Sequence, residues 1–388
     1  MAPDLNQVDR TNALKRDCAM VWMHIGDLHL TRVGESNHLA LREIVAQANE
    51  HLAGAVDFAV LPGDNADDGT PEQYRILRPE LARLKVPLHI LPGDHDFKSR
   101  SLSAFYSVLG AEALPKAVTV KSCRCIFLDF VSAGSGGPDF RLGFQQIDWL
   151  GRELDSASAR GLSTVVFAHG YPADLANQSE AEVFHGLLKE HRVLVVDMGH
   201  THYNELANDG QTIYAATRST GQIEEGPAGF SLLAVDQGVV SWRFKTLAQP
   251  WPLVLITSPA DRRLITRPHL PNHIPSGRAY VRAKAWSGDG IQSVECRVDN
   301  GAWRRMCLHE QGQCWELECE IPDTGFRLTV RATDARGNRD KDCIEVAATG
   351  SNRATPHADG SDRDTVGEWP EKHLLGTQLG PNRNGRKW

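Results

Sequence analysis

The sequence predicts an α/β domain with a largely buried sheet, followed by a domain built only from β-strands. From about residue 19 to residue 250, short apolar runs typical of buried strands alternate with segments of helical periodicity. From residue 251 to residue 349 the pattern changes to short strands with alternating polarity, separated by the turn-rich segments SGDG, DNGAW, PDTG and DARGN. Alternating strands and helices indicate a layered α/β domain, and many short strands at regular spacing indicate a β-sandwich.

The strands and helices of the first domain can be assigned in chain order. The predicted strands are AMVWMHI from Ala19, FAVLPGD from Phe58, PLHILPGDHD from Pro87, and then CIFLDF, STVVFAHG and VLVVDMGH. The predicted helices are HLALREIVAQANEHL from His38 and PEQYRILRPELARLK from Pro71, which has proline at a favourable first position. Apolar strands that lack polar alternation indicate a sheet covered on both faces.

Four segments follow from these changes in pattern. Residues 1–18 form an N-terminal extension, 19–250 the α/β domain, 251–349 the β-sandwich and 350–388 an extended, polar C-terminal tail. The tail ends in EWPEKHLLGTQLGPNRNGRKW, and its tryptophans and leucines leave open whether it docks on the body or on a second subunit.

Composition limits the function classes. The formal net charge of −7 over 388 residues gives no reason to expect the basic face that general nucleic-acid binding needs, so nucleic acid is not an expected partner, and a local basic patch stays open. No stretch approaches the ~20 apolar residues of a membrane helix, and the N-terminus lacks the apolar run of a secretory signal. We therefore expect a cytoplasmic protein without a membrane partner. The eight cysteines form no CxxC pair, which argues against a zinc ribbon, and leaves free thiols or disulfides open.

Polar residues follow nearly every predicted strand. A single Gly-Asp is commonly a helix cap, and a single histidine is commonly a hydrogen-bonded core residue. Five such clusters in one chain are harder to explain in this way, because strand ends in an open α/β sheet converge on one ligand-binding edge. These clusters are Asp27 and His29; Asp64; Asp94, His95 and Asp96; His169; and His200 and His202.

The residue types in these clusters predict a site for two metal ions. Two ions about 3.5–4 Å apart can bind both the attacking and the leaving side of a phosphoryl group. Imidazole and carboxylate ligands suit Mn, Fe, Co or Zn, and the sequence does not decide among them.

The order Asp-x-His, Gly-Asp, Gly-Asp-His-Asp, His, Gly-His-x-His resembles the calcineurin-like metallophosphoesterase family over about residues 19–247. It is most similar to the branch that contains cyclic-nucleotide and glycerophosphodiester phosphodiesterases. The resemblance implies a four-layer αββα sandwich as the catalytic domain, followed here by the immunoglobulin-like or fibronectin-like β-sandwich.

The family arrangement also implies specific roles for the polar residues at the strand ends. Asp27, His29 and His202 would hold the first metal, Asp94, His169 and His200 the second, and Asp64 would bridge both. His95 would assist the leaving group, and Asp96 would orient His95 or its loop.

One departure from the family pattern affects the expected substrate. The family usually has Asn where this chain has Asp94. Two divalent ions, two carboxylates and a bridging hydroxide have a net charge of about +1. The extra carboxylate of Asp94 lowers that net charge to about 0. A neutral centre favours monoanionic diesters over dianionic monoesters. A trivalent second ion, or a labile second metal, remains an alternative.

The resulting hypothesis is a dinuclear-metal hydrolase that cleaves a small phosphodiester through a metal-bridging hydroxide. The alternatives are a phosphomonoesterase or nucleotidase, a nuclease, and a non-catalytic binding protein with a vestigial metal site. Asn65 and Arg218 are the predicted substrate contacts, because they lie near the clusters in sequence and Arg218 can bind a phosphate oxygen. A homo-oligomer formed through the β-sandwich or the tail is an open expectation.

Overall fold

The computed structural model describes residues 19–222, 225–268, 270, 272–309, 314–349 and 364–375. The predicted N-terminal extension, residues 1–18, lies outside the described residues. So do residues 350–363 and 376–388 of the predicted tail.

A five-stranded sheet contains the first three strands of the chain. Its strands are β1 (Met20–His24), β2 (Phe58–Leu61), β3 (Leu88–Ile90), β10 (Gly229–Asp236) and β11 (Val239–Thr246), in the order β11-β10-β1-β2-β3. The strands β1, β2 and β3 are parallel neighbours, and β10 pairs antiparallel with β1. The carboxyl ends of β1, β2 and β3 therefore lie at one edge of this sheet.

A six-stranded sheet contains the remaining predicted strands of the first domain. Its strands are β4 (Lys116–Val120), β5 (Cys123–Phe127), β6 (Ser163–Ala168), β7 (Val195–Met198), β8 (Glu205–Asn208) and β9 (Ile213–Ala216), in the order β4-β5-β6-β7-β9-β8. The central strands β5, β6, β7 and β9 are parallel, so the ends of β6 and β7 also share one edge. The strand β8 is antiparallel to β9 and lies at the end of the sheet.

The two sheets pack face to face through aromatic side chains. The ring of Phe167 on β6 lies 5.7 Å from Trp22 on β1, 5.7 Å from Phe58 on β2 and 4.6 Å from Phe127 on β5. Successive residues of β1 alternate between this inter-sheet core, which holds Trp22, and the helix-facing core, which holds Met23. Both faces of the strand are therefore buried, as the continuous apolar run predicts.

Four helices cover the outer faces of the sheets. They are α1 (Ser36–His51), α2 (Pro71–Leu81), α3 (Phe144–Ala159) and α4 (Gln178–Glu190). At the start of α2, Thr70 Oγ1 accepts a hydrogen bond from Gln73 N at 3.3 Å, and the Gln73 side chain accepts one from Thr70 N at 3.4 Å. This capping box, with Pro71 at the first position, fixes the helix where the sequence predicts it. Helix, sheet, sheet and helix together give the predicted four-layer α/β arrangement.

Two antiparallel four-stranded sheets follow in the C-terminal half. The first contains β12 (Leu253–Ser258), β13 (Gly277–Trp286), β16 (Cys307–His309) and β17 (Cys314–Ile321). The second contains β14 (Ile291–Val298), β15 (Arg304–Arg305), β18 (Phe326–Asp334) and β19 (Arg339–Val346). Val281 and Ala283 of the first sheet and Val294 and Val330 of the second belong to one buried cluster. An immunoglobulin-like or fibronectin-like topology stays a prediction for this region.

Residues 364–375, here called the C-terminal strap, pack on the body of the same chain. Thr365 forms an antiparallel bridge with Ala207 on β8, and the side chains of Trp369 and Leu374 are buried. This part of the tail therefore docks on the body, one of the two alternatives that its apolar residues left open.

Within the described residues, no helix combines the length and the apolar character needed to cross a bilayer.

Candidate metal centre

The polar residues that follow the strands converge where the carboxyl ends of β1, β2, β3, β6 and β7 meet. The side chains predicted as metal ligands are all buried; they are Asp27, His29, Asp64, Asp94, His169, His200 and His202. They form two groups, and in each group the ligand atoms lie within 4.8 Å of one another.

The first group contains Asp27, His29, Asp64 and His202. His29 Nε2 lies 3.6 Å from Asp64 Oδ2 and 3.0 Å from His202 Nε2. His202 Nε2 lies 3.6 Å from Asp27 Oδ2, which also accepts a hydrogen bond of 2.7 Å from the backbone of His200. Two carboxylates and two imidazoles thus face one small volume.

The second group contains Asp64, Asp94, His169 and His200. His169 Nε2 lies 3.3 Å from Asp64 Oδ1 and 3.1 Å from Asp94 Oδ1. His200 Nδ1 lies 3.3 Å from the same oxygen of Asp94. Asp64 belongs to both groups and directs a different carboxylate oxygen towards each, which is the geometry required of a bridging ligand.

The burial of these groups suits a pair of metal cations. Asp27 Oδ1 and Asp64 Oδ2 are buried and have no hydrogen-bond partner among the described residues. A buried, ionised oxygen without a partner is costly, and a bound cation removes that cost. The His169 Nδ1 atom lies 3.0 Å from the carbonyl oxygen of Pro62, so the ring presents Nε2 to the carboxylates. Such outer contacts orient histidine ligands in metal sites.

The electrostatics of the centre favour added positive charge. Burial raises the pKa of Asp94, but hydrogen bonds from His169 and His200 outweigh it and hold that pKa well below its usual range. Burial lowers the pKa of His169, but the charge of Asp64 outweighs it and leaves that pKa well above its usual value. Asp94 therefore stays ionised and attracts cations, and bound metals would displace the histidine protons.

Several ligand residues have an unfavourable backbone conformation. The φ angles of His29, Asp64, His200 and His202 are 41°, 50°, 69° and 65°, in the left-handed region that non-glycine residues rarely adopt. Four of the seven predicted ligands therefore sit in unfavourable conformations held by their surroundings. Such strain clusters at functional sites.

The glycine before Asp94 allows the two ligand loops to approach each other. A Cβ atom at Gly93 would collide with Asp64 Oδ1 and with the backbone nitrogen of Asp64. Glycine therefore precedes Asp94 for a steric reason, because a side chain at position 93 would overlap Asp64.

His95 is held beside the two groups by Asp67, a residue that the sequence analysis missed. The His95 backbone N–H donates to Asp64 Oδ1 at 2.9 Å, and His95 Nδ1 lies 3.3 Å from Asp67 Oδ1. The same oxygen lies 3.5 Å from His29 Nδ1. The hydrogen bond with His29 lowers the pKa of Asp67 to about 2, although burial opposes the shift. The available signal was the second acidic residue in the loop GDNADDG after β2.

Asp96 fastens the loop after β2 to the loop after β3. Its carboxylate accepts hydrogen bonds from the backbone N–H groups of Asn65 at 3.1 Å and Gly93 at 2.9 Å, and from the Tyr74 hydroxyl at 2.7 Å. Burial and the charge of Asp64 raise the pKa of Asp96. These contacts correspond to the second of its two predicted roles, which was to orient the loop.

The two predicted substrate contacts require correction. Asn65 is fully buried, and its side-chain nitrogen donates to Leu91 O at 2.7 Å and to Asp96. Arg218 is 1% exposed, and its guanidinium contacts Glu225 at 3.3 Å and the His373 carbonyl oxygen at 3.0 Å. Both side chains are buried, although Asn65 Oδ1 and Arg218 Nε have no hydrogen-bond partner among the described residues, so neither reaches a surface that a substrate could approach in this structure.

The segment that contains this centre is similar to known proteins. Residues 20–204 match the family model described as calcineurin-like phosphoesterase. Glycerophosphodiester phosphodiesterase GpdQ of Enterobacter lignolyticus is 29% identical over 172 residues, covering 41% of this chain and 59% of that protein. The 3',5'-cyclic adenosine monophosphate phosphodiesterase CpdA of Escherichia coli K12 is 26% identical over 196 residues, covering 48% of this chain and 68% of that protein.

A 3',5'-cyclic-nucleotide phosphodiesterase of Nostoc sp. is 27% identical over 164 residues, covering 39% of this chain and 58% of that protein. The chain thus spans less than two thirds of the length of the GpdQ and Nostoc relatives. The matched family segment contains every residue of the two ligand groups. Over residues 20–204, which contain both ligand groups, this chain is therefore similar to the calcineurin-like phosphoesterase family.

Proposed function

We propose that this protein is a dinuclear-metal hydrolase that cleaves a small phosphodiester. The observation that carries the proposal is the pair of buried ligand groups that share Asp64. The names of the related proteins, which are phosphodiesterases for cyclic nucleotides and glycerophosphodiesters, support the same class of substrate.

The residues would divide between two ions as the family pattern implies. Asp27, His29 and His202 would hold the first, Asp94, His169 and His200 the second, and Asp64 both. Two ions bound here would supply positive charge to the phosphoryl oxygens and lower the pKa of a water molecule. The mixture of imidazole and carboxylate suits Mn, Fe, Co or Zn.

The protein residues around the ions would position and protonate the substrate. We assign His95 to the leaving-group oxygen, because Asp67 holds its Nδ1 atom and fixes the orientation of the ring. A positioned imidazole can donate a proton to a departing alkoxide. Asp96 would act only through the loops, since it binds the backbone of Asn65 and Gly93.

The third carboxylate supports a preference for diesters. Asp27, Asp64 and Asp94 together cancel most of the charge of two divalent ions, leaving about +1 before a nucleophile is counted. A dianionic monoester gains less from that charge than it would from a centre with only two carboxylates. A phosphomonoesterase or nucleotidase is therefore the second candidate. A trivalent ion in the second position would favour that alternative.

The test is activity after controlled metal loading. The metal-free protein is reloaded with Mn, Fe, Co or Zn and assayed with a chromogenic diester and the matching monoester. We expect faster diester hydrolysis with at least one metal, and none by an Asp27→Ala/Asp64→Ala double variant that remains folded. Faster monoester hydrolysis with every metal would reject the diester preference. Tight metal binding without hydrolysis of either ester would favour the non-catalytic alternative.

Several expectations stay predictions alongside this function. They are a cytoplasmic location, a homo-oligomer formed through the C-terminal half, and an immunoglobulin-like or fibronectin-like topology for strands β12 to β19.

A further inference from the structure

The C-terminal strap completes the six-stranded sheet at its β8 edge. The backbone N–H of Asn208 donates to Asp364 O at 2.6 Å, and the backbone N–H of Val366 donates to Leu206 O at 3.0 Å. The bridge between Thr365 and Ala207 lies between these bonds. An edge strand otherwise presents unpaired backbone groups, and the strap satisfies them.

Buried side chains anchor the middle of the strap to the C-terminal half of the chain. Lys372 Nζ lies 2.7 Å from Asp342 Oδ1 on β19, and both side chains are 2% exposed. Trp369 is 3% exposed, and the guanidinium of Arg263 lies 4.3 Å from the centre of its ring. Separating a buried ion pair leaves an uncompensated charge, so these contacts hold the strap in one position.

The end of the strap reaches the loop that carries two of the predicted ligands. The carbonyl oxygen of His373 accepts hydrogen bonds from Asn204 Nδ2 and Arg218 Nη2, each at 3.0 Å. Asn204 Oδ1 in turn accepts from the backbone N–H of Arg218 at 2.9 Å. One carbonyl oxygen thereby links the loop after β7 to the segment after β9.

That loop needs external support. It runs from Gly199 to Asn204 and contains His200 and His202, which both have left-handed φ angles. The backbone of Ser219, next to Arg218, also donates to the His202 carbonyl oxygen at 3.2 Å. A strained conformation persists only where neighbouring groups hold it. Arg218 and Asn204 hold this loop through the contacts described above.

We propose that the C-terminal strap is a positioning element of the metal centre, which holds the loop of His200 and His202 through Asn204 and Arg218. The inference rests on the metal site assigned under the proposed function. Metal binding and strap docking would favour the same loop conformation, so each would strengthen the other by the same factor. The C-terminal half would thereby be coupled to catalysis without contacting the substrate.

The experiment compares the full chain with a version that ends at residue 349. Metal affinity is measured by competition with a chromogenic chelator, and amide hydrogen exchange is measured on the metal-free proteins. We expect the truncated protein to bind at least one of the two ions about tenfold more weakly. Amides of residues 199–204 should also exchange faster. A folded truncated protein with unchanged affinity and exchange would overturn the proposal.

Two single variants keep the test decisive if the truncated chain does not fold. Trp369→Ala removes the buried anchor of the strap. Glu371→Gln is the control, because Glu371 is exposed and, among the residues that the structure describes, forms an ion pair with the exposed Arg327 alone. Trp369→Ala should raise exchange in both residues 364–375 and residues 199–204 and weaken metal binding, whereas Glu371→Gln should change neither. Faster exchange of the strap alone, with unchanged metal affinity, would reject the coupling.

The same titrations separate this inference from the proposed function. A full-length protein that binds no metal would contradict the function itself. Equal metal binding with and without a docked strap would contradict only the role of the strap.

Discussion

Asp94 Oδ1 lies 3.1 Å from His169 Nε2, so the residue that departs from the family pattern still faces the second ligand group. The extra carboxylate therefore changes the charge of the centre without removing a ligand position. Replacing the Asp94 carboxylate by an amide of the same shape changes the charge of the centre and little else.

We expect Asp94→Asn to keep both ions and to shift selectivity towards monoesters. The ratio of diester to monoester kcat/KM should fall about tenfold, which corresponds to about 1.4 kcal/mol of transition-state stabilisation. Steady-state kinetics on the two chromogenic esters, at measured metal occupancy, gives the ratio. An unchanged ratio at full occupancy would show that charge does not set the preference.

Asp67→Asn should lower kcat by about 10- to 100-fold, the usual cost of losing an outer contact to a metal-binding histidine. The carboxylate contacts both His95 and His29, so both the proposed proton donor and one predicted ligand would lose orientation. The matched control is Asp68→Asn, because Asp68 is 54% exposed and its one ionic partner in the described part of the chain is Lys98. Equal effects of the two substitutions would contradict the role of Asp67.

Gly93→Ala should abolish metal binding while leaving the remainder of the fold intact. The added methyl group would collide with Asp64 and displace the shared ligand. Metal content after dialysis against the ion, together with thermal unfolding, gives the result. The control is Gly186→Ala on α4, which meets no atom within 4 Å and should stabilise the protein by about 0.5–1 kcal/mol. Normal metal content in the Gly93 variant would contradict the steric argument.

The histidine on β3 should make stability depend on pH away from the metal centre. Burial, with the charge of Lys116, lowers the pKa of His89 to about 4. Between pH 6.5 and pH 4 the unfolded chain gains a proton at this residue and the folded protein does not. The free energy of unfolding should therefore fall as pH falls through this range, with no further loss below about pH 4.

His89→Gln removes this contribution and tests it. Urea unfolding of the two proteins at pH 7 and pH 4.5, with a chelator present, compares their stability without bound metal. As pH falls from 7 to 4.5, the unfolding free energy of the wild type should decrease more than that of the variant. Parallel pH profiles would contradict the depressed pKa.

The sequence was sufficient for the strands and for the residues at their ends. Continuous apolar runs predicted β1, β2 and β6, and the residues that follow them converge because parallel strands share an edge. The start of α1 was misplaced by two residues, since Ser36 begins the helix that its apolar pattern placed at His38. Helix ends depend on local backbone contacts, which periodicity does not record.

The failures have a physical cause in common. Arg218 was predicted to reach a phosphate because it follows the last ligand cluster, yet its guanidinium binds His373, which is 155 positions away. Asp67 was missed because its position in the loop after β2 does not match the spacing of the ligand motif, although it contacts His95 and His29. Contacts between distant segments fixed both residues, and local patterns carry little information about such contacts.

Because the C-terminal strap pairs with β8, this edge of the sheet can be completed only late in the synthesis of the chain. Strands β4 to β9 emerge from the ribosome long before residues 364–375, which lie beyond the entire C-terminal half. The β8 edge must therefore remain unpaired while about 160 further residues are made, as the bridge between Ala207 and Thr365 shows, and exposed strand edges are prone to intermolecular pairing. Newly made chains should therefore depend on chaperones during this interval.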